Sequence, residues 1–269
     1  RPQDPPPVNT GADAARAEPA PVDPKVEGLR RVKAGELVTP AQYEALALTL
    51  ADCPILTEGL AVDVRCPTRV VIGKARLDRA LEQRPNHPFD IEWHPFMLNP
   101  DMPAGGMDRR AYLEAKFGGK EGAVQAYMPV VREAEASGLN INFDAITHQP
   151  NTLDAHRLIH WAGLEQRQTA IVSRLLKAYF VEGRDIGDHG VLADIAEGAE
   201  MDREMILRLL ESGADADDIR ARDIDAREKG VNAVPTFVIA NQHVVPGAQP
   251  TDLWLKVIDE IAAQVQGKA

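Results

Sequence analysis

Hydrophobic and polar positions change period three times along this chain. Leu60-Ala61-Val62-Asp63-Val64 is a short, mostly apolar run that predicts a buried strand, and Phe89-Asp90-Ile91-Glu92-Trp93-His94 alternates strictly and predicts a second. Between them, Ala75-Arg76-Leu77-Asp78-Arg79-Ala80-Leu81 spaces its apolar residues as a helix does, to about residue 82. The segment Pro95-Phe96-Met97-Leu98-Asn99-Pro100 reads as a rigid, half-apolar loop. From 108 to 228 the period is helical almost throughout, with helices expected near 123–136, 152–161, 169–180 and 202–210. Asp, Asn or Thr stands at several of the starts, and glycines follow several of the ends. Tyr179, Phe180, Leu207 and Leu210 are expected in the core, and the acidic run 215–228 is expected to be a solvated helix face. Strand signal returns at 235–240 and 243–245. An amphipathic helix then runs from about 251 to 265, with Leu253, Trp254, Val257, Ile258 and Ile261 on its apolar side.

The order is βαβ, a long helical block, then ββα. A βαβ half followed by a ββα half is the plan of a four-stranded thioredoxin-like sheet, with the helical block inserted between the halves. The expected class is therefore α/β: a thioredoxin-like fold with a large all-helical insertion domain and an N-terminal extension. The divisions fall at 1–27 for a Pro/Ala-rich arm, 28–59 for a short helical extension, 60–106 and 229–269 for the two halves of the fold, and 107–228 for the insertion. The first 24 residues hold seven prolines and no Leu, Ile or aromatic residue, so they have little to offset the entropy of ordering. In the extension, Thr39-Pro40 has the form of an N-cap followed by Pro at the first helical position.

Composition narrows the function. An apolar fraction of 44% over 269 residues supplies a core and excludes a chain disordered throughout. A net charge of -11 argues against nucleic acid or an anionic membrane as partner, since both attract basic surfaces. No apolar run has the length of a membrane span. Arg1 leads us to expect a processed or trimmed chain, and no signal-peptide pattern follows it. The two cysteines, Cys53 and Cys66, form no Cys-x-x-Cys pair, which removes disulfide scaffolds and paired-cysteine zinc sites.

Cys66 is the candidate reactive group. It stands where a strand ends and a helix begins, beside exposed N–H groups and the positive end of the helix dipole, a setting that favours thiolate. Arg69 would act in the same direction. Two readings stand: a single activated thiol, or a packed and inert remnant. His156 and His160 lie four residues apart on one helix face, but two histidines are too few ligands for a metal site, and core or pocket-lining roles suit them better. No metal is expected. Asn151 is placed to cap that helix.

With the element order in hand, four motifs carry a resemblance over about residues 60–269. They are Ile72-Gly73-Lys74, Trp93-His94-Pro95-Phe96-Met97-Leu98-Asn99-Pro100, Pro150-Asn151-Thr152-Leu153-Asp154-Ala155-His156-Arg157-Leu158, and Gly230-Val231-Asn232-Ala233-Val234-Pro235-Thr236-Phe237. The chain resembles the DsbA-like thioredoxin-fold proteins, specifically the FrnE-type oxidoreductases and their sister family, the glutathione-dependent 2-hydroxychromene-2-carboxylate isomerases. The resemblance implies a cis bond at Val234-Pro235, closing a pocket beside Cys66, and a groove roofed by the helix after Asn151. Candidate pocket residues are then Pro67, Thr68, Arg69, His94, Phe96, Asn151, His156, Val234 and Pro235.

The departure from the family is at the centre. Its oxidoreductases carry Cys-Pro-Trp-Cys, whereas here Cys66-Pro67 is followed by Thr68-Arg69-Val70 with no second thiol. Disulfide exchange needs that resolving thiol, so a monothiol oxidoreductase is expected, acting on a thiol or peptide substrate. The alternatives are a glutathione-dependent isomerase-like enzyme, or an inactive subunit docked into an assembly by residues 1–59. Cys53 as a distant resolving thiol is a further option. Glutathione is the one cofactor implied, a homodimer is compatible, and the expected location is the cytoplasm, with an organellar one as the alternative.

Overall fold

The computed structural model describes residues 67–239 and 243–266. The arm, the helical extension, the expected strand at 60–64, Cys53 and Cys66 lie outside the described residues. The first described element is α1 (Thr68–Gln83). The helical block follows as α2 (Arg109–Phe117), α3 (Lys120–Ala136), α4 (Leu153–Leu164), α5 (Gln168–Phe180), α6 (His189–Gly198), α7 (Arg203–Glu211) and α8 (Ala216–Glu228). A two-residue ladder, β1 (Met107–Asp108) against β2 (His148–Gln149), ties the start of α2 to the approach of α4 and had no sequence signal. The chain closes with β3 (Thr236–Ile239), β4 (His243–Pro246) and α9 (Thr251–Gln266). β3 and β4 form an antiparallel hairpin in which Phe237 faces Val245 and Val238 faces Val244.

Short polar side chains start several helices as expected. The carboxylates of Asp108, Asp188 and Asp202 accept from the N–H groups of Ala111, Val191 and Met205, each at 2.8 Å. At α4 the cap comes one residue earlier than the Thr152 start: Asn151 Oδ1 accepts the Leu153 N–H at 2.9 Å, while Thr152 makes no side-chain cap bond. α2 ends on Gly118 at φ 73, a left-handed turn that a Cβ would strain.

The second expected strand is corrected. Residues 89–94 join no ladder among the described residues, although Phe89 and Ile91 alternate inward as a strand would. At Trp93 a side chain supplies what a strand neighbour would: Gln168 on α5 accepts the Trp93 N–H at 2.8 Å and donates to its carbonyl at 3.0 Å. Alternation reports which faces are buried, not what the backbone bonds to.

Burial divides into two main clusters. One lies within the helical block, where Leu158, Ala162, Ile171, Leu192 and Ala196 of α4, α5 and α6 are wholly buried and Ile206 and Leu210 of α7 close it. Leu210, Tyr179 and Phe180 are core as expected, while Leu207 is only half-buried. The other gathers Leu77 and Ala80 of α1, Ile239 and Val245 of the hairpin, and Trp254, Val257, Ile258 and Ile261 of α9. Phe237 meets Trp254 edge-on at 4.6 Å between ring centroids. Side chains of this kind each contribute about 1.5–3 kcal/mol on burial.

α1 joins the two bodies. Its Gly73 faces the loop ahead of the hairpin so closely that a Cβ there would lie 2.7 Å from Pro235 Cγ and 3.4 Å from Ala248 Cα. Across its other side runs a polar seam with α3, where Glu133 takes Arg76 at 3.1 Å and Arg69 at 3.4 Å, and Arg79 donates to the Ser137 carbonyl. Gly73→Val should therefore overpack the α1–hairpin contact and cost about 1–3 kcal/mol in urea unfolding. Gly105→Ala, where added bulk meets open space, should change stability by less than about 0.5 kcal/mol. Equal losses at the two positions would refute the close-approach argument.

Candidate active site

The residues singled out in the sequence fall into two groups around the elements just described. The first surrounds the N-terminus of α1. Pro67 occupies the cap position at φ -63 and ψ -23, and no side chain caps the first turn. The early N–H groups of α1 thus lie just after the position of Cys66 in the chain, as an electropositive helix end should. Val234-Pro235 is cis, as the motif implied, and its proline sits against Gly73. The Pro235 carbonyl accepts the Gly247 N–H at 2.7 Å, which pins this loop to the far end of the hairpin.

Thr68 and Arg69 turn inward. Thr68 is fully buried with its hydroxyl unpartnered, and Arg69 is 9% exposed, with Nε unpartnered and a terminal nitrogen on Glu133. The Arg69 charge is therefore shared with a carboxylate of α3, and the helix terminus carries more of the local positive field than the sequence suggests. Glu133 had no sequence signal, because a lone glutamate in an amphipathic helix normally faces water.

The second group gathers where the 93–97 segment crosses α4 and α8. Phe96 lies under the Arg227 guanidinium, 4.3 Å from the ring centroid. Met97 is held at both ends, its N–H donating to Asp223 Oδ1 at 2.6 Å and its carbonyl accepting from Arg227. His156 of α4 bonds the Phe96 backbone, and its pKa is pushed down to about 4, chiefly by burial and against the pull of Asp223. The residue as a whole is half-buried. Arg222 reaches His160 Nδ1 at 3.1 Å and His94 Nδ1 at 3.4 Å.

Asp223 corrects the reading of 215–228 as a solvated face. It is 2% exposed and receives Met97 and Arg227, which lies four residues on along the same helix. A spacing of four from Ile219, which is also buried, was the available sign that Asp223 shares the inward face. Asn151 stands apart from both groups. Its amide donates to the Met102 carbonyl at 2.7 Å and caps α4, so its demonstrated work is holding loop and helix together. Among the described residues no three His, Cys, Asp or Glu side chains cluster as metal ligands, and no helix is long and apolar enough to cross a membrane.

A third polar knot stabilises the β1–β2 ladder. Buried Arg109 donates to the Tyr179 hydroxyl at 3.1 Å, the Tyr127 hydroxyl at 3.2 Å and Gln149 at 3.4 Å. Burial pushes the Tyr179 pKa up to about 12, so the phenol stays protonated and donates to the His148 carbonyl at 3.1 Å.

A helix N-terminus laid against a cis-proline loop, with a helical block set between α1 and the closing hairpin, defines a class. The chain belongs to the DsbA-like thioredoxin domain family, whose pattern it matches over residues 62–259. The fold is the thioredoxin-like DsbA fold, here mostly helical. The uncharacterized protein YwbO of Bacillus subtilis (strain 168) is 29% identical over 199 residues, spanning 74% of this chain and 93% of its own. A probable DsbA oxidoreductase from Streptomyces coelicolor superposes with a TM-score of 0.63 at 28% identity, over 74% of this chain and 86% of its own. A 2-hydroxychromene-2-carboxylate isomerase shares the fold at 16% identity and a TM-score of 0.55, over 75% and 94% of the two chains.

Two outcomes follow for the second group. The folded-state pKa of His156 lies below its ordinary 6.5, so the unfolded chain binds a proton that the native state refuses. Stability should fall as pH drops from about 6.5 to 4 and level off below, by about 2–3 kcal/mol in all. His156→Gln should flatten the urea-midpoint profile across that window, and an unchanged slope would contradict it. Asp223→Ala, which strands Arg227 and the Met97 N–H, should cost about 2–4 kcal/mol in the same measurement. A loss below about 0.5 kcal/mol would mean that the carboxylate is not a tie.

Proposed function

We propose that this chain is a thiol-dependent member of its family that works through Cys66 as a single thiol. One observation carries the reading: α1 begins two residues after Cys66, with no side chain capping its first turn, and Gly73 lets the Val234-Pro235 loop lie against that helix. A thiol at such a helix end is favoured as thiolate, and the loop supplies a wall beside it. Residues 67–71 hold no second thiol, so the resolving partner comes from outside the chain, and glutathione is the partner we assign. The thiolate attacks one sulfur of glutathione disulfide, a Cys66–glutathione disulfide forms, and one glutathione thiolate leaves. The reverse step, with glutathione attacking, regenerates the thiol. The glutathione-rich cytoplasm suits this exchange, and the likeness to a probable DsbA oxidoreductase supports redox chemistry in general terms.

Incubation with glutathione disulfide followed by intact-mass measurement tests the proposal. The mass should rise by one glutathionyl group, the adduct should map to Cys66, and Cys66→Ser should abolish it while Cys53→Ser leaves it. Insulin reduction by the same protein should stay near background. An unmodified native protein that reacts only after denaturation would make the chain an inactive member of the family. Insulin turnover that disappears with Cys53→Ser would make it a dithiol enzyme with a distant resolving cysteine.

A further inference from the structure

The charged side chains of α8 show one exception to a rule. Along this helix and the lysine that follows it, Arg220 pairs with Asp217 at 2.8 Å, Arg227 with Asp223 at 2.9 Å and Lys229 with Asp225 at 2.7 Å. Arg222, half-buried among them, reaches no carboxylate among the described residues. It donates instead to two imidazoles, Nη1 to His160 Nδ1 at 3.1 Å and Nη2 to His94 Nδ1 at 3.4 Å. The adjacent Asp223 is spent elsewhere, on the Met97 N–H and on Arg227. The chain carries 41 acidic residues against 30 basic ones, yet among the described residues this guanidinium pairs with no carboxylate.

A guanidinium has no acceptor atom, so each ring turns an Nδ1 lone pair to an Arg222 N–H. His94 is exposed, its side chain 64% accessible, and its Nε2 lies 3.5 Å from Glu92 Oε1, at the long limit of an ion pair. The guanidinium keeps N–H groups beyond the two it gives to the rings, because it has five in a planar fork. Two imidazoles, from α4 and the 93–97 segment, thus steady the Arg222 fork on α8 without neutralising its charge, and its remaining N–H groups meet no carboxylate among the described residues.

We propose that Arg222, His160 and His94 form a binding site for an oxyanion, the carboxylate or phosphate group of a small ligand. A planar fork suits such a group, and partial burial strengthens the attraction over that of an exposed arginine. The site is independent of the thiol chemistry assigned to Cys66, and the choice of probe keeps the two separate.

The test is an NMR titration of the full chain with inorganic phosphate, and separately with S-methylglutathione, which carries carboxylates and no thiol. Sodium chloride holds ionic strength constant. The imidazole signals of His94 and His160 should move saturably while those of His189 and His243 stay in place. Arg222→Gln should weaken the binding at least about tenfold, the loss expected for a hydrogen-bonded charge. Saturation by phosphate alone identifies a phosphate-bearing ligand, and saturation by S-methylglutathione identifies a carboxylate one. Shifts that grow linearly without saturating, that spread equally over all four histidines, or that persist in Arg222→Gln would overturn the proposal. If Arg222→Gln does not fold, His94→Gln at the exposed ring replaces it, and undiminished binding there counts equally against the site.

Discussion

The approach of the Val234-Pro235 loop to α1 is the constraint that the candidate active site depends on. It is possible because position 73 has no side chain, so the proline ring occupies the space a Cβ would take. The contact then propagates. The Pro235 carbonyl holds Gly247, Ala248 accepts from Arg76 at 2.6 Å, and the Thr251 hydroxyl reaches the Arg76 carbonyl at 3.2 Å. The hairpin and α9 are in this way fastened along α1 by backbone groups, while Leu77, Trp254 and Ile258 supply the apolar energy beneath. Apolar burial is not directional and would tolerate a shifted helix; the backbone bonds and the glycine contact fix one register.

The helical block is attached differently. It has an apolar core of its own, and it meets the rest both through apolar packing, with Val71 of α1 against Ile146, Tyr179 and Phe180, and through polar ties such as Glu133 to α1, Gln168 to Trp93 and Asp223 to Met97. Each of these polar ties places a side chain of the block on a backbone or a charge of the other body. Each is specific in geometry and modest in energy, since a hydrogen bond exchanged for water contributes about 1 kcal/mol net.

Much of this was legible in the sequence. The hairpin, α9 with its apolar stripe, and the helices of the block follow from period alone, because one buried face against one solvated face writes itself into spacing. The cis-proline loop and the α1 turn came from motifs. What stayed hidden is polar and long-range. Asp223 looks like any residue of an acidic helix until the 93–97 segment is laid across it, and Glu133 and Gln168 acquire partners 57 and 75 residues away. The strand expected at 89–94 shows the converse: Phe89 and Ile91 alternate because of a buried face, yet at Trp93 the backbone is satisfied by a side-chain amide. No local pattern separates these cases.

Charge compensation distinguishes the two polar centres. At the α1 seam, Arg69 and Arg76 share Glu133 and the positive charge is turned inward, so that the field at the start of α1 rests largely on backbone dipoles. Dipole fields act over a turn of helix, which favours a single anionic sulfur at the terminus over a bulky anion. At the α8 crossing the reverse holds: Asp223 is consumed by backbone and Arg227, and Arg222 is left facing two imidazole rings. A negatively charged chain repels anions at long range, so an anion that binds must be captured by a local concentration of donors. The same acidic composition that argues against polyanionic partners therefore sharpens the case that an uncompensated arginine, flanked by two imidazoles, is kept for one small anionic group.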